Sequence, residues 1–449
     1  MGGHRLGGAS PLDAPRSLPK APLPPDWLGT RRRFRTPSPA QRALHARLRR
    51  RSRWPLVTLL VVAILAIFGS LSLTRSLPLP VPHMVLSSVL RVRGVSRPIP
   101  WPTEGQGAVA VPVLGLELAS GTQKPVPIAS LTKIMTAFVV LRDHPLSPDA
   151  QGPVVTVSAS DATEALEQEQ ANDTMVPVQA GEVLSERQLL DGLLVHSANN
   201  FADLLARWDS GDIAKFVSKM NAVAASLGMR ETHYADADGI DPDSMSTPAD
   251  QLRVASAAMK LPAFAAVVAQ PSVTLPIAGS VSNFVSQIGS DGIVGVKSGF
   301  TQAAMGCLVL AARRPVDGHE VLVMGAVTGQ TGLDPLDSAA GATLALIDGA
   351  AASLRDVRVA ASSERVATLT VPWGSTPVAG TVKRAVDAVV WPGDVVHRSM
   401  RWTRVRVGAP AGTTLGRMEV SVGTEHLSVP VLSATAVHGP SLTWRLEHP

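Results

Sequence analysis

Apolar residues first concentrate in one uncharged run of 21 residues, Trp54 to Thr74. As a helix rising about 1.5 Å per residue, such a run covers the ~30 Å hydrocarbon core of a bilayer. It therefore predicts one transmembrane helix over residues 54–74. Basic residues crowd its N-terminal side, so the positive-inside rule places residues 76–449 outside the cell. A cleaved signal peptide is the alternative, but its positive region is normally short, whereas 53 residues precede this run.

Between residues 104 and 354 the apolar spacing changes from alternating to helical and back. Alternation over 108–118 predicts strands, and spacings of three and four then predict helices. The predicted helices are 130–142, 185–194, 200–208, 213–227, 247–260 and 337–354. The later predicted strands are 293–298, 306–312 and 321–327. A sheet whose first and last strands enclose helices is an α+β or α/β arrangement.

After residue 354 the pattern becomes short Val-rich alternation separated by turn residues. These predicted strands are 367–371, 388–390, 403–407, 418–422 and 427–431. Their regular spacing predicts a small all-β domain over 355–449. Two segments lack apolar periodicity: residues 1–53 are predicted to be a disordered basic tail that stays cytoplasmic, and residues 75–103 a Pro-rich linker.

Charge is divided unevenly along the chain. The sequence has 41 Lys and Arg against 36 Asp and Glu, a net charge of +5. Residues 1–53 hold 13 basic and 2 acidic residues, whereas residues 101–354 hold 13 and 27. The basic excess belongs to the tail, so we expect no nucleic-acid partner for the main domain. The one cysteine, Cys307, leaves no CxxC-type zinc or redox site.

Candidate chemistry begins with Ser130 and Lys133, which open a predicted amphipathic helix. Three residues apart on a helix, the hydroxyl and the amine share a face. Serine is a weak nucleophile at neutral pH and needs a nearby base. Lysine can act as that base where burial and a neighbouring cation lower its pKa. This spacing alone is a weak signal, because Ser17 and Lys20 repeat it inside the tail.

Two more motifs follow in order, Ser197-Ala-Asn199 and Lys297-Ser-Gly299, and S-x-N and K-[ST]-G each occur once in the chain. The first lies between two predicted helices, where its hydroxyl and amide can reach one cleft. Helix capping is the alternative interpretation. The second ends a predicted strand, where the lysine supplies positive charge and the glycine lets a substrate backbone approach. A strand that simply ends in a turn is the alternative there.

In order, spacing and context these motifs resemble the penicillin-recognising serine enzymes. More narrowly, they are similar to the D-alanyl-D-alanine carboxypeptidases, the low-molecular-mass penicillin-binding proteins. The similar segments are 128–137, 189–206, 238–240, 245–252 and 296–308. The resemblance covers about 105–354 and implies that 104–354 is an α/β sandwich of the penicillin-binding and β-lactamase-like class. The β-rich part that follows, 355–449, resembles the family's common C-terminal domain only in its pattern of short Val-rich strands.

The resemblance also implies a role for each motif residue. Ser130 would be the nucleophile that forms an acyl-ester, Lys133 its proton acceptor and Ser197 a proton relay. The oxyanion hole would consist of the backbone N–H groups of Ser130 and of a residue just after Phe300. The expected substrate-binding residues are Asn199, Lys297 and Ser298.

The two lysines of these motifs are expected to do different jobs. Lys133 must be neutral to accept a proton, whereas Lys297 must stay charged to meet a carboxylate and should therefore lie nearer solvent. The resemblance implies no metal and no organic cofactor. It implies the peptidoglycan stem peptide as substrate and β-lactams as inhibitors, which suits a catalytic domain outside the membrane.

This sequence departs from the family pattern in two places. Ser298 stands where the family usually has Thr, and it keeps the hydroxyl. More seriously, the family commonly has a downstream Arg for the terminal carboxylate, and no Lys or Arg occurs between Arg314 and Arg355. Two alternatives stay open. One is a class A-like β-lactamase, which needs a carboxylate base that no E-x-x-x-N pattern supplies in this chain. The other is a catalytically inactive, membrane-anchored protein that binds or regulates the wall.

Overall fold

In the computed structural model of this 449-residue chain, residues 38–43 and 53–448 are described. The predicted disordered tail, 1–53, lies almost wholly outside them, as does the second Ser-x-x-Lys match at Ser17 and Lys20. The chain divides into two compact units. One is Leu77–Ser441, and the other contains the apolar helix and the last short helix.

Ten α-helices lie between residues 53 and 448: α1 (Trp54–Thr74), α2 (Thr132–Asp143), α3 (Ala159–Gln170), α4 (Glu186–Leu194), α5 (Asn199–Ser210), α6 (Ile213–Ser226), α7 (Pro248–Ala258), α8 (Pro262–Val268), α9 (Pro335–Ala351) and α10 (Leu442–Glu447). The same range holds twenty strands: β1 (Val81–Met84), β2 (Val89–Arg91), β3 (Gln106–Val111), β4 (Leu116–Ala119), β5 (Val126–Pro127), β6 (Val154–Thr156), β7 (Val183–Ser185), β8 (Met245–Ser246), β9 (Ser272–Leu275), β10 (Gly279–Ser282), β11 (Ile293–Thr301), β12 (Met305–Val316), β13 (His319–Gln330), β14 (Arg355–Ala360), β15 (Arg365–Thr370), β16 (Val378–Val382), β17 (Val386–Val390), β18 (Val395–Trp402), β19 (Thr414–Val422) and β20 (Glu425–Ser433).

The apolar run forms α1 over the range that the sequence predicts. Pro55 lies in its first turn, where the missing N–H costs nothing. Its large apolar side chains are exposed almost throughout. Within the described residues, α1 is the one helix long and apolar enough to cross a membrane. A helix of this kind near the N-terminus fits either a membrane anchor or a signal sequence.

A five-stranded antiparallel sheet carries the third motif, on its edge strand β11. Its strand order is β11-β12-β13-β3-β4, so the first and last predicted strands of this region lie side by side. Helix α9 contacts β12 and β13, and α2 and α7 belong to the helical layer. Every residue of α2 from Thr132 to Leu141 is buried. A helix that is largely apolar on all sides becomes the centre of a core, and α2 carries Lys133 there.

Three helices escaped the sequence analysis, α3, α8 and the six-residue α10. Helix α3 buries only Ala165, so it has no apolar stripe to detect. A capping box begins it instead, in which Ser158 accepts from the Asp161 N–H and the Asp161 carboxylate accepts from the Ser158 N–H. Helix α8 has seven residues, fewer than periodicity arguments need.

The Val-rich C-terminal region forms a seven-stranded sheet in the order β1-β15-β16-β20-β19-β18-β2. Its core is continuous with one face of the five-stranded sheet, because Val109 and Leu310 belong to the same buried cluster as Val366 and Val382. The strand predicted at 403–407 is wrong: the strand is β18, and residues 403–407 form a loop. Val405 is nevertheless buried, which explains its strand-like pattern.

The interpretation of residues 75–103 as a linker is also wrong. Strand β1 pairs with β15, and β2 pairs with β18, so one short segment supplies both edges of the seven-stranded sheet. Proline misled the prediction, because it removes a donor and argues against a central strand. At an edge a proline is tolerated, and Pro82 lies in the edge strand β1.

Candidate active site

Ser130 lies on a short 3₁₀ turn, Ala129–Leu131, that leads directly into α2. The preceding Ala129 has φ 49°, in the left-handed region that non-glycine residues seldom occupy. Such backbone strain persists where the surrounding structure holds it, and it clusters at functional sites. Ser130 is half-buried, whereas its neighbours in the turn are buried. The turn thus presents one hydroxyl at the surface of an otherwise closed core.

Lys133 lies one helical turn further on and is buried completely. Its Nζ is 3.1 Å from Ser130 Oγ, 2.7 Å from Asn199 Oδ1 and 2.7 Å from the Asp238 carbonyl oxygen. The last two atoms only accept hydrogen bonds. A neutral amine can donate one N–H to each of them, which leaves its lone pair for the hydroxyl. The geometry therefore suits a base that takes the Ser130 proton.

Burial lowers the pKa of Lys133 below its ordinary value. The negative charges of Asp238, Asp236 and Asp203 act against burial and raise it. Burial also raises the pKa of the Asp236 and Asp203 carboxyls, each to about 6. The proton affinity of Lys133 thus depends on a surrounding set of carboxyl groups to which the motif analysis assigned no role.

The Asp238-Gly239 turn contacts the turn that carries Ser130. Segment 238–240 is similar to the family in sequence, but the sequence analysis assigned it no function. Gly239 has φ 89°, and a Cβ there would lie 1.9 Å from the Ala129 carbonyl oxygen. Only glycine fits so close to the turn that carries Ser130. The Asp238 carboxylate accepts a hydrogen bond from the Ile240 N–H at 3.0 Å, which frees the Asp238 carbonyl to face Lys133. The adjacent pair Asp-Gly was the available sequence signal.

The second motif lies in the loop between α4 and α5, as the sequence predicts. Ser197 is buried and has φ 64°, a second left-handed non-glycine residue in this site. Asn199 is the first residue of α5, and its side chain accepts from Lys133 rather than capping the helix. Helix capping therefore does not account for Asn199.

The third motif lies on β11, the edge strand of the five-stranded sheet. A Cβ on Gly299 would lie 2.9 Å from the Ser130 backbone nitrogen, so the strand passes directly beside the turn that carries Ser130. Lys297 is 1% exposed, and its Nζ donates to the Ser298 carbonyl oxygen at 2.9 Å. The expectation that Lys297 lies nearer solvent than Lys133 is therefore wrong.

Burial is the larger cause that holds the pKa of Lys297 well below its ordinary value, and the positive charge of Lys133 is the second. Two buried amines that repel each other are hard to protonate together. The structure thus joins Ser130, Lys133 and Asn199 by hydrogen bonds, and the charge of Lys133 disfavours the charged form of Lys297.

These three motifs meet in a chain that matches one known family. A sequence model described as D-alanyl-D-alanine carboxypeptidase matches residues 118–328. A D-alanyl-D-alanine carboxypeptidase of Streptomyces sp. strain K15 is 35% identical over 202 residues, which are 41% of this chain and 67% of that protein. The chain belongs to the D-alanyl-D-alanine carboxypeptidase family. The carboxypeptidase DacB2 of Mycobacterium tuberculosis is 35% identical over 195 residues, which are 42% of this chain and 62% of that protein.

Solved structures agree with the family at the level of fold. The Streptomyces K15 DD-transpeptidase aligns with a TM-score of 0.50 and 27% identity. The alignment covers 57% of this chain and 99% of the transpeptidase chain. A second similar structure is a Streptococcus pneumoniae protein described as a peptidoglycan synthesis regulatory factor, PBP3. It aligns with a TM-score of 0.56 and 19% identity, and the alignment covers 74% of this chain and 99% of the PBP3 chain. The mixed α/β class expected from the resemblance is confirmed.

The loop that contains Phe284 connects the segment of the second motif to the third motif. The Phe284 N–H donates to the Val195 carbonyl oxygen at 3.1 Å, and Ser298 Oγ donates to the Phe284 carbonyl oxygen at 3.3 Å. The ring of Phe284 is exposed and packs on His196, with ring centroids 4.8 Å apart. This loop therefore fixes the spacing between the Ser197 side and the Ser298 side of the cleft.

Arg314 is the last basic residue before the stretch without Lys or Arg, 315–354. It does not replace the carboxylate-binding Arg that is common in this family. Arg314 is buried and donates to the Asp348 carboxylate at 2.9 Å and to Asp291 at 3.1 Å. Those contacts commit its guanidinium to a structural ion-pair network. Across residues 38–43 and 53–448, no group of three His, Cys, Asp or Glu side chains is arranged to hold a metal ion.

Proposed function

We propose that this protein is a serine-type D-alanyl-D-alanine carboxypeptidase that acts on peptidoglycan stem peptides and is acylated by β-lactams. The observation that carries the proposal is the Lys133 cluster. A buried amine lies 3.1 Å from a half-buried hydroxyl, while two carbonyl oxygens at 2.7 Å use its N–H groups. This arrangement activates serine through a lysine base alone. Family membership supplies the substrate class.

In the proposed reaction, Ser130 Oγ attacks the carbonyl carbon of the terminal peptide bond while Lys133 accepts its proton. The tetrahedral oxyanion is held by the N–H groups of Ser130 and of a residue just after Phe300. The peptide C–N bond then breaks, and the amine of the departing D-alanine takes a proton through Ser197. Water attacks the acyl-ester in the second half, which releases the shortened peptide and returns the proton to Ser130.

Substrate positioning is proposed for Asn199, Lys297 and Ser298. Asn199 orients Lys133 through its side-chain oxygen, 2.7 Å from Nζ. The Ser298 hydroxyl is proposed to meet the terminal carboxylate, because Lys297 is 1% exposed and its amine donates to the Ser298 carbonyl oxygen. Burial disfavours the charged form of Lys297 and a carboxylate favours it; in its protonated form Lys297 acts on the carboxylate through its field rather than by direct contact.

A labelled penicillin tests the proposed function against its alternatives. We expect stable covalent labelling together with release of D-alanine from a soluble pentapeptide ending in D-alanyl-D-alanine. A β-lactamase would turn the label over quickly instead, and an inactive fold would neither bind it covalently nor release D-alanine. Either of those outcomes contradicts the proposal.

We also propose that α1 remains as a single-pass anchor, with residues 1–53 cytoplasmic and the catalytic part, 104–354, outside the membrane. The 13 basic residues of 1–53 support this orientation. The β-rich C-terminal domain, predicted over 355–449, is extended to include 77–103 because β1 and β2 complete its sheet. Protease added to intact cells with a permeable wall should digest residues beyond 100 and spare the tail. Protection of the large domain would refute this topology.

A further inference from the structure

The unit Leu77–Ser441 is electrically divided. Residues 104–354 carry 13 Lys and Arg against 27 Asp and Glu. Residues 77–103 and 355–441 together carry 13 against 6, a net charge of +7. Because β1 and β2 join the earlier segment to the seven-stranded sheet, these positive charges belong to one folded region. We call residues 77–103 and 355–441 the β part.

A groove of about 630 Å³ opens on the seven-stranded sheet of the β part. Strand register places His397 opposite Ser421, and Ser421 opposite His426, in one row across β18, β19 and β20. Neighbouring strands lie ~4.8 Å apart, so the two imidazoles flank one hydroxyl. Ser88 lines the groove beside them, held where its carbonyl oxygen accepts from the Arg398 N–H at 2.8 Å.

Three basic side chains of the groove have no polar partner among the described residues. His397, Arg401 and His426 are exposed, and none of them makes a side-chain hydrogen bond or ion pair within residues 38–43 and 53–448. The carboxylate that lines the groove, Glu419, accepts a hydrogen bond from Ser428 at 2.8 Å.

Arg401 also lies directly opposite Arg417 on the neighbouring strand. Like charges directly opposite each other destabilise a sheet. Arg417 avoids part of this cost by donating from Nε to Ser428 Oγ at 2.7 Å, away from β18. The Arg401 guanidinium makes no such hydrogen bond in the described part of the chain. An anion in the groove could therefore pair with this guanidinium and offset its repulsion by Arg417.

We propose that the groove binds a glycan that carries carboxylates, namely a peptidoglycan strand through stem peptides that are not being cleaved. This proposal rests on the function proposed above for the catalytic part. The Arg401 guanidinium suits the carboxylates, the imidazoles of His397 and His426 can donate hydrogen bonds to them, and the hydroxyls of Ser88, Ser399 and Ser421 suit sugar and amide groups. A recess fits a polymer strand, whereas binding to an anionic bilayer uses clusters of protruding basic residues.

Holding one stem peptide in the groove raises the local concentration of others at the catalytic cleft. The acidic catalytic part, with its net charge of −14, does not attract an anionic polymer by itself. The β part therefore supplies the attraction that the cleft lacks.

Co-sedimentation of the full-length, penicillin-treated protein with insoluble peptidoglycan tests this proposal. The triple variant His397→Gln, Arg401→Gln, His426→Gln should weaken binding roughly tenfold, as expected for the loss of one exposed charged contact and two imidazole hydrogen bonds. The matched control is His83→Gln, Arg406→Gln, His438→Gln, which removes the same residue types from exposed positions of the β part outside the groove. The control should bind within about twofold of the unmodified protein.

Peptidoglycan whose carboxylates have been converted to amides should bind the unmodified protein as weakly as the groove variant binds the native polymer. Equal binding by the groove variant and the control, or undiminished binding to amidated peptidoglycan, would overturn the proposal. So would preferential binding to vesicles of anionic phospholipid. Release of D-alanine from a soluble pentapeptide should be the same in all three proteins. Failure of that assay in the unmodified protein would count against the proposed function and not against the groove.

Discussion

Replacing Ser130 by Ala is expected to abolish covalent labelling by penicillin, with a loss of at least about 10³-fold in acylation rate. In the proposed reaction the acyl-ester forms on Ser130 Oγ, which lies 3.1 Å from Lys133 Nζ. Among the described residues no other hydroxyl hydrogen-bonds to that amine. The fold should survive, because the Ser130 side chain is half-buried and contributes one hydrogen bond. The free energy of unfolding should fall by about 1 kcal/mol at most.

The chain offers a matched control for that experiment. Ser17 has a lysine three residues later, as Ser130 does, but lies in the basic tail. Ser17→Ala should label at the unmodified rate. Labelling is measured with a fluorescent penicillin, and the thermal unfolding midpoint reports on the fold. Undiminished labelling of a folded Ser130→Ala variant would show that Ser130 is not the nucleophile.

Replacing Lys133 by Arg is expected to lower the acylation rate by about 10²–10⁴-fold, the usual contribution of a general base. Arginine keeps positive charge but cannot deprotonate in a protein. The larger guanidinium must also fit a site that is completely buried and already bounded by Asn199 and Asp238. Lys215→Arg, at an exposed lysine of α6, is the control and should acylate normally. A Lys133→Arg variant that acylates at a normal rate would exclude Lys133 as the base.

The same base requirement fixes the direction of the pH dependence. Protonated Lys133 cannot accept the Ser130 proton, so acylation should slow as the pH falls through the pKa of Lys133. In its protonated form Lys297 repels a proton on Lys133, because the charges of the two buried amines interact. Lys297→Gln removes that charge, and the acidic limb of the profile should move to higher pH.

Lys297→Gln also separates a field effect from direct binding. If the buried amine acts through its field, the variant should show the shifted pH profile with every β-lactam, including one whose carboxylate is esterified. If Lys297 instead contacts the carboxylate itself, the loss should be confined to carboxylate-bearing β-lactams and the profile should not move. That second outcome would contradict the role proposed for the buried Lys297 amine.

Short-range patterns in the sequence determined much of this protein. The uncharged run predicts α1, because length and hydropathy are properties of the run itself. Helical spacing predicts α2, and the order of the three motifs predicts their grouping at one site. The structure places Ser130 and Lys133 on one face because three residues make nearly one turn. The elements missed were those without periodicity, such as α3, whose single buried residue leaves no stripe.

Only the tertiary structure decided what surrounds each group. Nothing local shows that residues 81–91 complete a sheet whose other strands come more than 270 residues later, since strand pairing at an edge depends on the partner strand. Nor does the motif show that Lys297 is buried beside Lys133, because burial is set by all the elements that pack over a side chain. The Asp238 carbonyl reaches Lys133 across 105 residues, and that contact exists only because Gly239 lets two turns meet where any Cβ would collide.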